Sequence, residues 1–154
     1  MQNKINISQL TSIDETPMEL LLLADPSVEA IKDYLKRGIC YVAKEDEQVV
    51  GVYVLLKTRP FTIELVNIAV ADAKQGQGIG KQLVFDCINR ARALGVKILE
   101  VGTGNSSIGQ LAFYQKCGFR IKSVDFDFFT IHHNEKIMEN GIWCRDMIRL
   151  ELQL

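Results

Sequence analysis

A glycine-rich turn between an apolar strand and an amphipathic helix contains the residue types in this sequence that best suit a chemical task. The turn reads Gln75-Gly76-Gln77-Gly78-Ile79-Gly80-Lys81. Glycine has no Cβ, so it adopts unusual backbone dihedrals and lets another group approach the backbone closely. The first amides of the following helix have no intrahelical acceptor and lie at the positive end of the helix dipole. The pattern therefore predicts an anion site, and a pyrophosphate is the group that suits it.

Three glycine motifs could account for this turn, and the residue spacing excludes two of them. A P-loop requires Ser or Thr after its Gly-Lys pair, but Gln82 stands there. The dinucleotide fingerprint G-x-G-x-x-G requires a third glycine where Lys81 stands. The pattern Q-x-x-G-x-G is present at Gln75, Gly78 and Gly80. A tight strand-to-helix turn without any ligand is the alternative.

Hydrophobic periodicity and turn residues divide the rest of the chain into strands and helices. We predict strands at 4–13, 39–43, 48–57, 62–70, 96–101, 120–131 and 142–152. We predict helices at 18–24, 28–36, 79–94 and 106–116, and a polar loop at 132–141. The strand–helix–strand units in the centre require parallel neighbours, whereas the flanking hairpins are antiparallel. The order predicts a mixed α/β (α+β) fold with a central mixed sheet of about seven strands, flanked by about four helices.

Composition limits the classes of protein to which the chain can belong. The 154 residues carry a formal net charge of −1 with acids and bases interspersed, which argues against a dedicated nucleic-acid binder. No apolar run is long enough to span a membrane, and the N-terminal residues lack the apolar core of a signal peptide. We therefore expect a cytoplasmic protein. With no repeat, low-complexity segment or linker, we expect residues 1–154 to form a single domain.

The cysteines and histidines do not indicate a metal site or a disulfide framework. No two cysteines form a C-x-x-C pair, and each lies in an apolar pattern, so we expect buried, reduced thiols. The cysteines are Cys40, Cys87, Cys117 and Cys144. The two histidines, His132 and His133, are adjacent to one another and to no cysteine. We expect no bound metal.

The glycine loop and two further segments together resemble the GNAT acetyltransferase family. Asn67-Ile68-Ala69-Val70 leads into the loop, and Tyr114 followed by Gly118-Phe119 is similar to the family's F-Y-x-x-x-G-F segment. The tail from Phe126 onward also resembles short bacterial members. Many members place an asparagine seven residues before the tyrosine; here that position is Ser107, and Asn105 lies two residues earlier. The resemblance implies the GNAT fold and an N-acetyltransferase that uses acetyl-CoA.

The resemblance also implies which residues hold acetyl-CoA. The loop amides and the helix start would bind the pyrophosphate, and the end of the preceding strand would pair with the pantetheine arm. A backbone N–H near Ile68 would hold the thioester oxygen as negative charge develops on it. The predicted acetyl-CoA residues are Ile68, Ala69, Val70, Gln75, Gly76, Gln77, Gly78, Ile79, Gly80, Lys81, Asn105 and Ser107.

Two side chains are candidates for the proton transfers that acetylation of an amine requires. An alkylamine with a pKa of about 10 arrives charged at neutral pH, and a nearby carboxylate helps to remove its proton. We predict Glu64 for this role, because its strand leads into the loop. A strand period of two would place it on one face with Val66, Ile68 and Val70. Tyr114 occupies the position of the family's tyrosine acid and would protonate the departing thiolate. The alternatives are a solvent-facing or ion-paired Glu64 and a core Tyr114.

The acceptor side is less clearly specified. The acidic residues of the first two helices and the late polar loop could border an acceptor cleft, although ordinary surface roles explain both. The residues concerned are Glu15, Asp25, Glu29 and Asp33, and then His132, His133, Glu135 and Trp143. The aromatic cluster Phe126, Phe128 and Phe129 is more typical of a core or a dimer interface.

Three functions therefore stay open. The chain could acetylate the primary amine of a small molecule, acetylate a protein N-terminus or lysine, or bind acyl-CoA as a non-catalytic sensor. The presence of both Glu64 and Tyr114 argues against the sensor. We expect no nucleic-acid or membrane partner, and a homodimer is compatible with the apolar late strands.

Overall fold

The computed structural model describes residues 4–154, and a seven-stranded mixed sheet forms its centre. The strands of this sheet, in spatial order, are β1 (Asn6–Gln9), β2 (Ile39–Glu45), β3 (Gln48–Arg59), β4 (Thr62–Val70), β5 (Ile98–Gly104), β9 (Met147–Gln153) and β6 (Arg120–Asp125). β4 and β5 pair in parallel, and the other neighbours pair antiparallel. A separate hairpin consists of β7 (Ile137–Glu139) and β8 (Ile142–Cys144). The predicted central mixed sheet is confirmed.

Helices cover both faces of the sheet. They are α1 (Met18–Ala24), α2 (Val28–Arg37), α3 (Ile79–Ala93), α4 (Ile108–Lys116) and α5 (Phe128–His132), with short 3₁₀ turns at Ile13–Glu15 and Asp72–Lys74. α1 and α2 pack on one face around Leu21, Ile31 and Val52, which we call the α1–α2 layer. α3 and α4 pack on the other around Leu83 and Leu99, the α3–α4 layer. Burial of these two apolar clusters drives the assembly of the sheet.

The prediction for the last third of the chain was wrong in three places. Residues 120–131 do not form one strand: β6 ends at Asp125, and α5 begins after Asp127, whose φ of 60° is left-handed. Residues 142–152 do not form one strand either, because β8 and β9 are separated at Arg145 and Asp146. The loop predicted at 132–141 contains the end of α5 and all of β7. Polar side-chain contacts, described below, cause the break between β8 and β9.

A β-bulge in β4 changes which face each residue of this strand occupies. Leu65 pairs with Leu55, but the next pair joins Asn67 to Val54, so Val66 is the extra residue. Ile68 then packs with the α3–α4 layer, although it follows Leu65 by an odd number of positions. Glu64 pairs with a residue of the α1–α2 layer. The prediction that Glu64 shares a face with Ile68 and Val70 was therefore wrong, because the bulge breaks the period of two.

Three further sequence predictions concern cysteines, membrane spans and metals. Cys40, Cys87 and Cys144 are buried free thiols, as predicted, whereas Cys117 is only half-buried. In residues 4–154, no helix is long and apolar enough to cross a membrane. The same residues contain no group of three or more His, Cys, Asp or Glu side chains arranged to hold a metal ion.

Candidate functional site

A cleft of about 360 Å³ opens where β4 ends and α3 begins. Its volume lies in the range of about 300–1,000 Å³ that is typical of small-molecule sites. The predicted acetyl-CoA residues that line it are Ile68, Ala69, Val70, Gln75, Gly76, Gly78, Ile79 and Gly80. Leu23, Ala24, Lys74, Gln110 and Phe113 also line it and were not predicted. Gln110 and Phe113 lie three residues apart on α4, a helical spacing that could have identified them.

The glycine loop presents its backbone amides to this cleft. Gly76 and Gly78 have φ values of 80° and 82°, a left-handed conformation that glycine adopts without a steric penalty. Among residues 4–154, the amides of 76–81 donate to no protein acceptor, and the first helical hydrogen bond runs from Gln82 N to Gly78 O. These donors lie at the N-terminus of the 15-residue helix α3. The arrangement suits a phosphate or pyrophosphate group.

Side chains around the loop hold its shape. The Gln75 amide donates to the carbonyl of Val70 and to Asp72 Oδ1, each at 3.2 Å, which closes the turn between β4 and α3. Lys74 forms an ion pair of 2.8 Å with Glu45 on β2. Lys81 Nζ lies 5.7 Å from the centre of the Phe85 ring. Gln75 thus supports the loop, and neither Gln77 nor Lys81 lines the cleft.

β4 and β5 separate at this end of the sheet. Their parallel pairing runs from Thr62 with Ile98 to Leu65 with Val101 and then stops. β4 continues to Val70 without β5, whereas β5 continues to Gly104 paired with β9. The β5-facing side of 68–70 is therefore open, and an amide-containing ligand could pair with it as a neighbouring strand would.

Asn67 joins the two helices of the α1–α2 layer to β4 beside the cleft. Its Nδ2 donates to the carbonyl of Leu21 at 3.0 Å and to the Tyr34 hydroxyl at 2.9 Å. The Tyr34 hydroxyl donates in turn to Asp25 Oδ2 at 3.2 Å. Leu23 and Asp25 belong to the segment that forms the outer wall of the cleft, so this hydrogen-bonded chain fixes that wall to the bulged strand. The Asn67 Oδ1 atom is buried without a partner among the described residues.

Glu64 lies in a row of charged side chains that crosses the sheet. It is the register partner of Glu100 on β5, and its Oε1 lies 3.7 Å from Arg149 Nη1. Burial raises the pKa of Glu64, Arg149 opposes this shift, and Glu100 and Asp125 add to it. The Glu64 side chain is 23% exposed, so it can still exchange protons with a ligand or water. Glu64 does not itself line the cleft.

The remaining members of this row pair with one another. Glu100 contacts Arg59 at 2.5 Å and Lys122 at 3.6 Å, and Arg149 Nε donates to Asp125 at 2.7 Å. The sequence analysis missed this row, because its members come from separate strands and only the strand register brings them together.

Tyr114 lies in the α3–α4 layer, on the other side of the sheet from Glu64. It is 4% exposed and packs against the rings of Phe113 and Phe119, with centroid separations of 5.5 and 5.9 Å. Burial raises the pKa of Tyr114, with smaller contributions from two neighbouring cysteines. Within residues 4–154, its side chain makes these ring contacts and no hydrogen bond. The group is thus held in its protonated form beside Phe113, a residue of the cleft wall.

Asn105 and Ser107 contact the late part of the chain. Asn105 Nδ2 donates to the carbonyl of Trp143 at 3.1 Å, and Oδ1 accepts from the backbone of Arg145 at 2.9 Å and of Asp146 at 3.0 Å. These contacts hold the break between β8 and β9. Ser107 Oγ donates to Glu139 Oε1 at 2.6 Å. Neither residue lines the cleft.

The groups considered for the acceptor side mostly have local partners. His132 lies 4.6 Å from the Phe128 ring, and the His133 ring stacks on Phe129 at 6.0 Å. Trp143 lies between Lys136 at 4.8 Å and Arg145 at 4.3 Å. In the first two helices, Asp33 pairs with Arg37, and Asp25 accepts from Tyr34 and Ser27. These contacts do not single out an acceptor pocket.

Comparison with known proteins identifies close relatives. A sequence model described as the acetyltransferase (GNAT) family matches residues 8–119. The Bacillus subtilis (strain 168) protein described as uncharacterized N-acetyltransferase YvbK is 55% identical, over 98% of this chain and 97% of that protein. A crystal structure of a Bacillus subtilis acetyltransferase in complex with CoA has 55% identity and a TM-score of 0.95, over 98% of this chain and 99% of that one. A GNAT acetyltransferase from Elizabethkingia anophelis with acetyl-CoA bound has 48% identity and a TM-score of 0.96, over 99% of this chain and all of that one.

Proposed function

Because this chain belongs to the GNAT family of acetyl-CoA-dependent N-acetyltransferases, we propose that it transfers an acetyl group to the primary amine of a small molecule. The observation that carries this proposal is the coincidence of three features at one end of the sheet. The amides of 76–81 have no acceptor within residues 4–154, β4 and β5 separate beyond Leu65, and a cleft lies between them and α4. We further propose that residues 1–154 act as one catalytic domain.

In this proposal, the cleft binds acetyl-CoA through backbone groups. The amides of the glycine loop hold the pyrophosphate at the start of α3, and the open side of 68–70 pairs with the amides of the pantetheine arm. Gln110 and Phe113 on α4 form the opposite wall. We leave Asn105 and Ser107 out of the proposed set, because their side chains bind the backbone at 143–146 and Glu139.

Glu64 and Tyr114 are the proposed proton acceptor and proton donor. Acetyl-CoA supplies a thioester whose acetyl group is transferred and whose thiol is released. As the bond between the acceptor nitrogen and the acetyl carbon forms, Glu64 accepts the nitrogen's proton, directly or through water. As the bond between carbon and sulfur breaks, Tyr114 donates its hydroxyl proton to the sulfur, and solvent restores it.

The positions of the two groups support this division. Glu64 faces the α1–α2 side of the sheet and Tyr114 the α3–α4 side, with the gap between β4 and β5 beyond them. Burial raises the pKa of both groups. A raised pKa makes the carboxylate a stronger base and keeps the phenol protonated.

The experiment that tests the proposal measures acetyl-CoA binding by calorimetry and then thiol release with a panel of amines. The panel contains polyamines, amino acids, aminoglycosides and, separately, peptides with a free N-terminus or a lysine. We expect binding and turnover on a small amine. Turnover on peptides alone would replace the small-molecule acceptor with a protein, and binding without any turnover would favour a sensor. The variant Tyr114→Phe in the same assay separates chemistry from binding.

A further inference from the structure

Arg149 on β9 lies at the point where β4 and β5 separate. It pairs with Gly102, the first residue of β5 beyond the last β4–β5 pair, Leu65 with Val101. β4 and β9 lie on either side of β5, about 10 Å apart, so only a long side chain can cross between them. Gly102 has no side chain in the way. The guanidinium crosses β5 here, and its Nη1 lies 3.7 Å from Glu64 Oε1.

Two neighbours fix the orientation of the Arg149 side chain. Its Nε donates to Asp125 Oδ2 on β6 at 2.7 Å, and its guanidinium carbon lies 5.9 Å from the centre of the Phe128 ring on α5. A guanidinium presents several donors in a rigid fork, so one edge can bind Asp125 while a terminal nitrogen faces Glu64. A lysine has a single nitrogen and could not hold both contacts in this way.

Arg149 supplies the positive charge nearest to Glu64. Among residues 4–154, no other cation lies within 4 Å of Glu64, and neither of its carboxylate oxygens accepts a hydrogen bond. The 3.7 Å contact is itself too long for a hydrogen bond, so it is an attraction between charges. Both oxygens of Glu64 therefore stay available to an acceptor amine or to water.

The other charged side chains of this row do not take the place of Arg149. The charged residues on the strands around Glu64 are Arg59 on β3, Glu100 on β5, Lys122 and Asp125 on β6, and Arg149 and Glu151 on β9. Arg59 and Lys122 both contact Glu100, so they offset the charge of Glu100. Burial raises the pKa of Glu64, Arg149 lowers it, and Glu100 and Asp125 raise it further.

The balance between these effects matters for a general base. A base is most effective when its pKa lies near the working pH, because it must be both ionised and basic. Burial and neighbouring carboxylates push the pKa of Glu64 upward, which favours the protonated form that cannot accept a proton. The charge of Arg149 limits this rise and so favours the ionised form.

We propose that Arg149, oriented by Asp125, is a positioning residue that holds Glu64 as a carboxylate at the edge of the gap between β4 and β5. This inference rests on the proposed function, because it takes Glu64 as the acceptor of the amine's proton. Arg149 acts through Glu64 and needs no contact of its own with acetyl-CoA or the amine. An ion pair that merely joined β9 to its neighbours would affect stability and not the protonation of Glu64 during the reaction.

The first measurement is the titration of Glu64 in the free protein, followed by NMR of glutamate labelled with carbon-13 at Cδ. The Glu64 signal is identified as the one missing from Glu64→Gln. Arg149→Met keeps an apolar stem and removes the charge, so the midpoint for Glu64 should rise by about one pH unit. Arg149→Lys keeps the charge and should shift the midpoint less than half as far.

Two further variants serve as controls in the same titration. Arg120→Met removes the charge of an exposed β6 arginine that forms no ion pair within residues 4–154, and it should leave the midpoint within about 0.2 pH units of the parent. Asp125→Asn keeps an acceptor for Arg149 Nε and removes a negative charge, so the midpoint should fall. Because Asp125 is exposed, this variant should fold even if Arg149→Met does not.

The second measurement is the pH profile of kcat/KM, which reports ionisations of the free enzyme. In Arg149→Met the acid limb should move upward together with the NMR midpoint. At pH values below the limb, kcat/KM should therefore be about tenfold lower than in the parent, and on the plateau it should lie within about twofold. A purely structural role would instead lower kcat/KM equally at every pH.

The two measurements separate this inference from the proposed function. An unchanged NMR midpoint in Arg149→Met overturns the inference and leaves the proposed function in place. Arg149→Lys shifting the midpoint as far as Arg149→Met, or Asp125→Asn raising it, also overturns the inference, because the effect would then not follow charge. A midpoint that moves while the acid limb stays in place removes Glu64 as the proton acceptor, and with it the role of Arg149 in the reaction.

Discussion

Substitution by alanine should have opposite effects on protein stability at two glycines of the loop, Gly78 and Gly80. Gly78 has a φ of 82°, and a Cβ at this position would meet no atom of residues 4–154 within 4 Å, so the cost of Gly78→Ala is conformational. A left-handed alanine costs about 1–2 kcal/mol. Gly80 is the second residue of α3 with ordinary helical dihedrals, and Gly80→Ala should stabilise the helix by about 0.5–1 kcal/mol.

The effect of these substitutions on the affinity for acetyl-CoA should differ from their effect on stability. The Cβ of Gly80→Ala would lie 3.8 Å from Phe113 and 3.9 Å from Val70, an ordinary contact with two residues of the cleft wall. The methyl group therefore causes no clash within the protein but occupies space at the cleft. We expect acetyl-CoA affinity to fall about tenfold, or roughly 1.4 kcal/mol, although the variant is more stable than the parent.

The assay combines thermal unfolding with calorimetric titration of acetyl-CoA. For a chain of this size 1 kcal/mol corresponds to about 2–4 °C, so Gly78→Ala should lower Tm by about 2–8 °C and Gly80→Ala should raise it by about 1–4 °C. Gly109→Ala is the control, because Gly109 is the second residue of α4, has open space around it and lies outside the cleft. It should raise Tm without changing affinity. Full affinity in Gly80→Ala would refute the placement of the ligand against the start of α3.

The other predictions test the proposed proton transfers and the role of Asn105. Tyr114→Phe should lower kcat about a hundredfold and leave acetyl-CoA affinity and Tm nearly unchanged, because phenylalanine keeps the ring packing against Phe113 and Phe119. An unchanged kcat would remove Tyr114 from the mechanism. Glu64→Gln should lower turnover yet stabilise the protein. The pKa of Glu64 is higher in the folded state than in the unfolded state, so the folded state binds this proton more tightly. The free energy of unfolding therefore falls as the pH rises from the unfolded pKa through the folded pKa. The increase in the free energy of unfolding that Glu64→Gln causes, measured in urea, should therefore be larger at pH 7 than at pH 4. The reverse order would contradict the raised pKa. Asn105→Ala should cost about 1 kcal/mol of stability, because the backbone donors of the exposed Arg145 and the half-buried Asp146 lose their acceptor, with acetyl-CoA affinity intact. A loss of affinity instead would restore its predicted role at the cofactor.

The sequence correctly predicted those strands and helices whose bounds are set by residues close together in the chain. The bounds of β4 and the start of α3 follow from an apolar run, a glycine cluster and helical spacing, and the structure places them as predicted. α2 likewise begins at a local signal, because Ser27 precedes it and its Oγ accepts from the backbone N–H of Ala30 at 3.1 Å. Such features depend on residues within a few positions of one another, so a single sequence contains them.

Features that depend on distant residues were not predictable in this way. The bulge at Val66 is visible only when β3 is laid beside β4, so Glu64 was placed on the wrong face. The segment 126–131 is rich in aromatic residues that favour strands, but the left-handed Asp127 and its backbone contact to Asp146 divert the chain into α5. The side chain of Asn105 contacts residues about forty positions away, and no local spacing in the sequence indicates these contacts.

The extra residue in β4 has a consequence for how this sequence can change over evolutionary time. Removal of Val66 would make Leu65 and Asn67 consecutive in the ladder, and each later residue of the strand would keep its present face. Asn67 would stay beside Leu21 and Tyr34, and Ile68 would stay in the α3–α4 layer. Removal of a second residue would break the restored period of two and turn part of the strand over. The segment between Thr62 and the glycine loop should therefore tolerate the loss of one residue more readily than the loss of two.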